Sequence, residues 1–145
     1  MTELNHAQSF RELVVYQKAK MVARTVFEIT KGFPKEETYS LTDQIRRASR
    51  SIGAQIAEAW AKRRYEKHFI SKLTDADAEQ METQHWIDEA RNCHYLDQHQ
   101  AEELTRELMQ IGRMLNAMMA KAHLFCGKDE NVIREEMAEY IISKQ

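Results

Sequence analysis

YSLTDQIRRASRSIGAQIAEAWAKRR, residues Tyr39 to Arg64, is the stretch whose reading decides the fold. Leu41, Ile45, Ala48, Ile52, Ala59 and Trp60 recur along it at steps of three and four, with Ile56 between them. An α-helix turns once per 3.6 residues, so this spacing gathers one apolar stripe that must be buried against other helices. Ser40 can cap the start, and Asp43 three residues on makes a weak capping box, with Asp where Glu or Gln is preferred. Away from the stripe stand Arg46, Arg47 and Arg50. Like charges four apart destabilise a helix by about 0.2–0.5 kcal/mol per pair. Something should offset that repulsion: carboxylates on a neighbouring element, or an anionic partner.

Working outward, the preceding segment repeats the pattern. Val15, Ala19, Val22, Val26, Ile29 and Phe33 form a heptad seam, widened by Tyr16, Ala23 and Phe27, which predicts a first helix from about Ser9 to Lys31. Gly32 ends it and Pro34 keeps it ended. Downstream, Phe69, Leu73, Ala76, Gln80, Thr83, Ile87 and Ala90 predict a third helix over about Glu66 to His94. Gln80 and Thr83 interrupt its apolar character and need hydrogen-bond partners if buried. Tyr95, Leu96 and Asp97 make the next turn. Ala101, Leu104, Leu108, Ile111, Leu115, Met118, Ala122 and Phe125 then run as an unbroken fourth seam, closed by Gly127. The join between the second and third helices holds neither Gly nor Pro, so composition alone also allows one rod from Ser40 to His94, about 80 Å long at 1.5 Å per residue.

These seams predict an all-α fold, an antiparallel up-down four-helix bundle over residues 10–126. Residues 1–9 are polar and expected to be loosely held, and 127–145 form a short amphipathic helical appendage carrying Val132, Ile133, Met137, Tyr140 and Ile141. The chain has 145 residues, one Pro and four Gly, a composition suited to long helices in a single domain. No apolar run approaches the length of a membrane span, and the opening MTELNHAQSF lacks a signal peptide's basic start and apolar core. With Cys93 and Cys126 the only cysteines, a cytoplasmic protein with reduced thiols is expected. The net charge of −2 argues against an indiscriminate nucleic-acid binder. Its distribution is uneven: Leu41 to His68 holds seven Lys/Arg against three Asp/Glu, and Lys72 to Glu107 three against ten. Such halves can pair within or between subunits, or leave one surface positive.

The segment FPKEETYSLTDQIRRASRSIGAQIAEAW resembles the signature of the four-helix-bundle proteins encoded by intervening sequences of bacterial 23S ribosomal RNA genes. The matching positions are Phe33, Pro34, Glu37, Tyr39, Leu41, Gln44, Arg46, Arg47, Ser51, Ile52 and the box Gln55-Ile56-Ala57-Glu58-Ala59. Phe10, Leu13, Gln17 and Ala19 at the start and Tyr95-Leu96 later extend the resemblance over about residues 10 to 124. Gln55 and Ala59 depart from the family's Asn and Gly, and Asp77-Ala78-Glu79 stands where a small-Gly-Ser step is usual. The resemblance implies a turn near Lys62 to Lys67 rather than a rod, a homopentameric assembly, and RNA or a reverse transcriptase as partner. The accessory variability proteins of diversity-generating retroelements share that fold.

No catalytic constellation emerges. His85, Cys93, His94 and His99 cluster in sequence, but adjacent helical residues point about 100° apart and no CxxC or HxxxH spacing occurs. Glu79, Glu82, Glu89 and Glu102 suggest a carboxylate-bridged di-iron bundle, which needs Glu-x-x-His on two helices. Glu82 and His85 supply one such step; His123 has Ala120 three residues before it and supplies none. A non-enzyme without metal or cofactor is expected.

Two functional readings remain. One is an RNA-binding or reverse-transcriptase-associated accessory protein using Arg46, Arg47, Arg50, Lys62, Arg63, Arg64 and Lys67, joined by Lys18, Lys20 and Arg24 if the first helix lies alongside. The other is a self-assembling protein-protein interaction scaffold whose arginines meet carboxylates. Met81 and Trp86 on the third helix, and Met109, Met114 and Met119 on the fourth, lie off the core seams and mark a candidate oligomer interface. Basic and acidic sides suit a head-to-tail contact, which closes into a ring when the rotation allows.

Overall fold

The computed structural model describes residues 7–126 and 140–141. Four helices, α1 (Val14–Thr30), α2 (Leu41–Ala61), α3 (Glu66–Asn92) and α4 (Gln98–Ala120), are followed by a single further turn, α5 (Ala122–Phe125). Each helix packs on the next in sequence and α1 closes on α4, so the short turns make an antiparallel up-down bundle. The α2–α3 contact is the most extensive and the α1–α4 contact the least among neighbouring helices. Among the described residues there is no sheet; Leu13 and Ile141 form one isolated antiparallel bridge.

The core is built from the expected seams. Ile45, Ile52 and Ile56 of α2 meet Phe69, Leu73 and Ile87 of α3, and Leu108, Ile111, Leu115 and Met118 of α4, all fully buried. Val15, Ala19, Val22 and Val26 supply the α1 side. The polar interruptions on α3 are satisfied. Thr83 Oγ1 donates to the Glu79 carbonyl at 2.8 Å. Gln80 Nε2 donates to Asp77 Oδ1 at 2.9 Å, and Gln80 Oε1 accepts from Gln84 Nε2 at 2.7 Å. Asp77 also faces α4, where Asn116 Nδ2 donates to its other oxygen at 3.4 Å. A Cβ on Gly112 of α4 would sit 2.7 Å from Gln80 Nε2, so glycine is what allows this polar crossing to close. The acidic residue that departs from the family's small step therefore anchors α3 to α4.

Several helix ends differ from expectation. Ser9 caps a 3-10 turn, Phe10–Glu12, rather than α1 itself; Leu13 is extended, and α1 begins at Val14. Extension of Leu13 is what lets its backbone pair with Ile141, a partner invisible to local pattern. Ser40 makes no side-chain cap on α2. Glu37 takes that role: its Oε1 accepts from the Ser40 hydroxyl at 2.7 Å and from the Leu41 N–H at 3.4 Å, placing a carboxylate at the helix's positive end. Asp43 instead faces Arg47.

The α2–α3 turn ends a helix without glycine. The Arg63 side chain folds back, its Nε donating to the Trp60 carbonyl at 2.9 Å and its guanidinium lying 3.6 Å over the Trp60 ring. One orphaned carbonyl of the last turn is thus satisfied by a side chain. Asp97 caps α4 in a full capping box with Gln100. The fourth seam is interrupted at Lys121, although Ala122 and Phe125 continue to point inward. Phe125 stacks on Phe69 at 5.6 Å, and Tyr140 meets it edge-on at 5.2 Å, which docks part of the C-terminal segment on this pole. The rest of the expected tail helix lies outside the described residues.

At the end of α3, His94 has φ 64°. The Tyr95 N–H bonds the Ala90 carbonyl and the His94 N–H the Arg91 carbonyl, a Schellman motif with histidine in the left-handed position. Glycine suits that conformation better, so His94→Gly should raise stability by about 0.5 kcal/mol after its greater unfolded-state entropy is counted. A lower denaturation midpoint for the variant would contradict this account.

A candidate nucleic-acid interface along helices α1 and α2

Arg46 and Arg50 lie one turn apart on the face of α2 that meets α1. Both stand over the ring of Phe27, with guanidinium carbons 4.6 Å and 5.3 Å from its centroid. Arg46 Nε also donates to Thr30 Oγ1 at 2.7 Å. The repulsion between the two arginines is therefore offset by an aromatic face, a third solution beside carboxylates or an anion. Arg47 points away and pairs with Asp43 at 3.7 Å across an exposed surface, an interaction worth about 0–1 kcal/mol.

The aromatic–cation arrangement continues along α1. Lys20 Nζ is 5.9 Å from the Tyr16 centroid, and the Arg11 guanidinium 4.4 Å from that of Phe10. Phe10 and Tyr16 meet edge-on at 4.9 Å. Between α1 and α2 runs a groove of about 350 Å³, bounded by Phe10, Tyr16, Lys20 and Arg50 and floored by small residues including Gly53 and Ala57. Tyr16 leans over Gly53, where a Cβ would stand 3.4 Å from its Cε1. Sequence reasoning placed Tyr16 and Phe27 only as wider parts of the core seam and gave Phe10 and Arg11 no role at a site. The usable signal was a cation beside or one turn from an aromatic: Phe10 with Arg11, Tyr16 with Lys20, Phe27 with Lys31.

The remaining candidate residues form a second group at the α2–α3 turn. Lys62, Arg64 and Lys67 are exposed, and Arg63 is half-buried on Trp60, where loss of solvent lowers its pKa. About 18 Å of helix separates Arg50 from Lys62 at 1.5 Å per residue, so the seven do not make one cluster. The α1–α2 groove links the groups, because its Ala57 end lies one turn before the close of α2. Of the seven, Arg47 alone has a carboxylate within ion-pair distance among the described residues.

The family model of the 23S rRNA-intervening sequence protein matches residues 11–117. The chain belongs to this family. A crystal structure of a protein with unknown function from the S23 ribosomal protein family, from Bacteroides thetaiotaomicron VPI-5482, is similar at 28% identity and a TM-score of 0.67, covering 74% of this chain and 96% of that chain. No curated protein matches the chain. Family and fold agree with a non-enzymatic protein.

In this member of the 23S rRNA-intervening sequence family, part of the signature is architectural. Glu37 Oε2 accepts from the Tyr95 hydroxyl at 3.0 Å, while the Phe33 and Tyr95 rings lie 5.4 Å apart. The α1–α2 connection is thereby tied to the α3–α4 turn. Hydrogen bonds from Ser40 and then Tyr95 hold the Glu37 carboxyl below its ordinary pKa of 4.5, and the carboxylate pushes the Tyr95 phenol up to about 12. A depressed folded-state pKa contributes stability that is present above about pH 4.5 and lost as pH falls through the folded value. Glu37→Gln should therefore reduce the acid sensitivity of unfolding in that window; an unchanged profile below pH 4.5 would remove Glu37 from the account. Tyr39 has no such packing and is 92% exposed.

The five candidate interface residues divide. Met81 and Met109 are 60% and 49% exposed and line one open groove of about 700 Å³ between α3 and α4, beside Asp77 and Asp88. Trp86, Met114 and Met119 are partly buried against the core. Trp86 Nε1 donates to Glu82 at 3.0 Å, and Met119 Sδ lies 3.4 Å from the Thr74 hydroxyl, which donates to the Ile70 carbonyl at 2.9 Å. Glu79, on the α2-facing side of α3, has its pKa raised by burial and by Glu82. Among the described residues no group of three or more His, Cys, Asp or Glu can hold a metal, and no helix is long and apolar enough to cross a membrane.

Proposed function

We propose that this family member is a cytoplasmic, self-associating RNA-binding protein. The observation that carries the reading is the α1–α2 face, where Arg46, Arg50 and Lys20 stand against aromatic rings with no carboxylate paired to them among the described residues. Cations held in place but not neutralised are available to phosphates. Lys62, Arg64 and Lys67 extend the positive surface around the end of the bundle, and Arg63 shapes the turn that presents them. Association with a reverse transcriptase, or kinship in role with retroelement accessory proteins, rests on the sequence resemblance alone.

Self-association is supported by the exposed Met81 and Met109 on the acidic side. In the scaffold reading, that side of one copy meets the basic side of the next and closes into a ring where the rotation allows, five-membered if the resemblance holds. Such a contact covers the cations that RNA otherwise takes, so the two readings compete for one surface. The same observation favours the scaffold reading if no RNA is bound. Titration of labelled RNA at several salt concentrations tests both. Binding that weakens linearly in log–log form supports the RNA reading, and absent binding at low salt with a stable oligomer by light scattering supports the scaffold. A monomer mass at micromolar concentration removes the ring.

A further inference from the structure

We infer that the α1–α2 groove is a site for single-stranded nucleic acid, with phosphates on Lys20 and Arg50 and unpaired bases against Tyr16. This rests on the RNA-binding reading above and goes beyond it in naming the form of the ligand. Three features carry the inference. First, charge and ring come from the same spots: Lys20 beside Tyr16, Arg11 beside Phe10, and Arg50 beside Phe27, at 4.4–5.9 Å. A single strand alternates phosphate and exposed base and uses both kinds of group; a duplex turns its bases inward and leaves the rings without a stacking partner. Second, the groove lining holds Lys20 and Arg50 and no acidic residue. Of the other grooves, one carries Glu103 and Glu107, another Asp77 and Asp88 with Arg113, and a third sets Asp88 and Glu102 among Arg91, Arg106 and Arg113. Among these the α1–α2 groove alone offers cations with no carboxylate beside them. Third, the slot is narrow and partly apolar, with Tyr16 packed over the bare backbone of Gly53. An acidic peptide would match the cations but gain nothing from the rings.

The test compares an unstructured RNA with a hairpin duplex of equal charge, using anisotropy at fixed salt. The single strand should bind more tightly. Tyr16→Leu should weaken it about tenfold while Tyr16→Phe, which keeps the π face, stays near the parent protein. Gly53→Leu should also weaken single-strand binding by filling the slot, and it improves helix propensity, so it serves if the Tyr16 variants fold poorly. Duplex affinity should be unmoved by any of the three. Equal affinity for duplex and single strand, or full binding by both Tyr16→Leu and Gly53→Leu, overturns the inference while leaving RNA binding intact. Displacement of the RNA by polyglutamate of equal charge assigns the groove to acidic peptides instead. If neither RNA form binds at low salt, this inference and the RNA-binding reading fall together.

Discussion

Replacing Arg46, Arg47 and Arg50 together by Ala should lower RNA affinity about 100-fold near 0.1 M salt and reduce the log–log salt slope by about 1.4. The slope is the more telling of the two. Each cation that neutralises a phosphate releases a counterion, at about 0.7 per charge for a single strand, so the lost Arg46 and Arg50 contacts leave a signature that local unfolding does not produce, while Arg47, turned toward Asp43, adds little. The bundle should survive. Alanine is the best helix former, and the change removes like-charge repulsion on α2. Against this stands the loss of the Arg46–Thr30 hydrogen bond and of the two stacked guanidiniums on Phe27, each worth about 1 kcal/mol. A variant with an unchanged helical circular dichroism spectrum and an unchanged salt slope would exclude these arginines from RNA contact.

The largest loss of stability is expected from Phe69→Ala, about 3–5 kcal/mol, or roughly 10 °C in Tm. Phe69 is fully buried and stacks on Phe125, whose other neighbour is Tyr140. Removing one ring therefore opens a cavity at the pole where α3 begins and α5 ends, and takes support from two further aromatics. Chemical denaturation followed by helical signal measures it. A shift below about 1 kcal/mol would mean that the pole relaxes into the space, against the behaviour of most buried Phe sites.

How much of this was written locally can be judged from single elements. The seam of α3, from Phe69 through Gln80 and Thr83 to Ala90, is buried residue for residue, because burial follows helical spacing even where the side chain is polar. The ends were less legible. The end of α2 on Arg63 folded over Trp60, the end of α3 on His94 in a left-handed conformation, and the start of α2 on Glu37 in place of Ser40 each depend on a particular local conformation. Residue type alone ranks Gly and Ser ahead of all three. The candidate site was half visible. Its arginines stand out in sequence as unbalanced charge, whereas their support on Phe27 and the groove beside Tyr16 require knowing that α1 lies against that face of α2. The division of Met81 and Met109 from Met114 and Met119 likewise turns on which sides of α3 and α4 meet the core.

The bridge between Leu13 and Ile141 has a consequence for the order of assembly. Helices of this bundle pack mainly on their neighbours in sequence, so most contacts can form as the chain emerges at roughly 5–20 residues per second. The bridge cannot. Leu13 waits through the synthesis of all four helices for its partner, while the 3-10 turn that carries Phe10 and Arg11 already packs on α1 and α2. A nascent bundle thus has its groove framed before the bridge exists, and closure of the bridge certifies a chain made through Ile141.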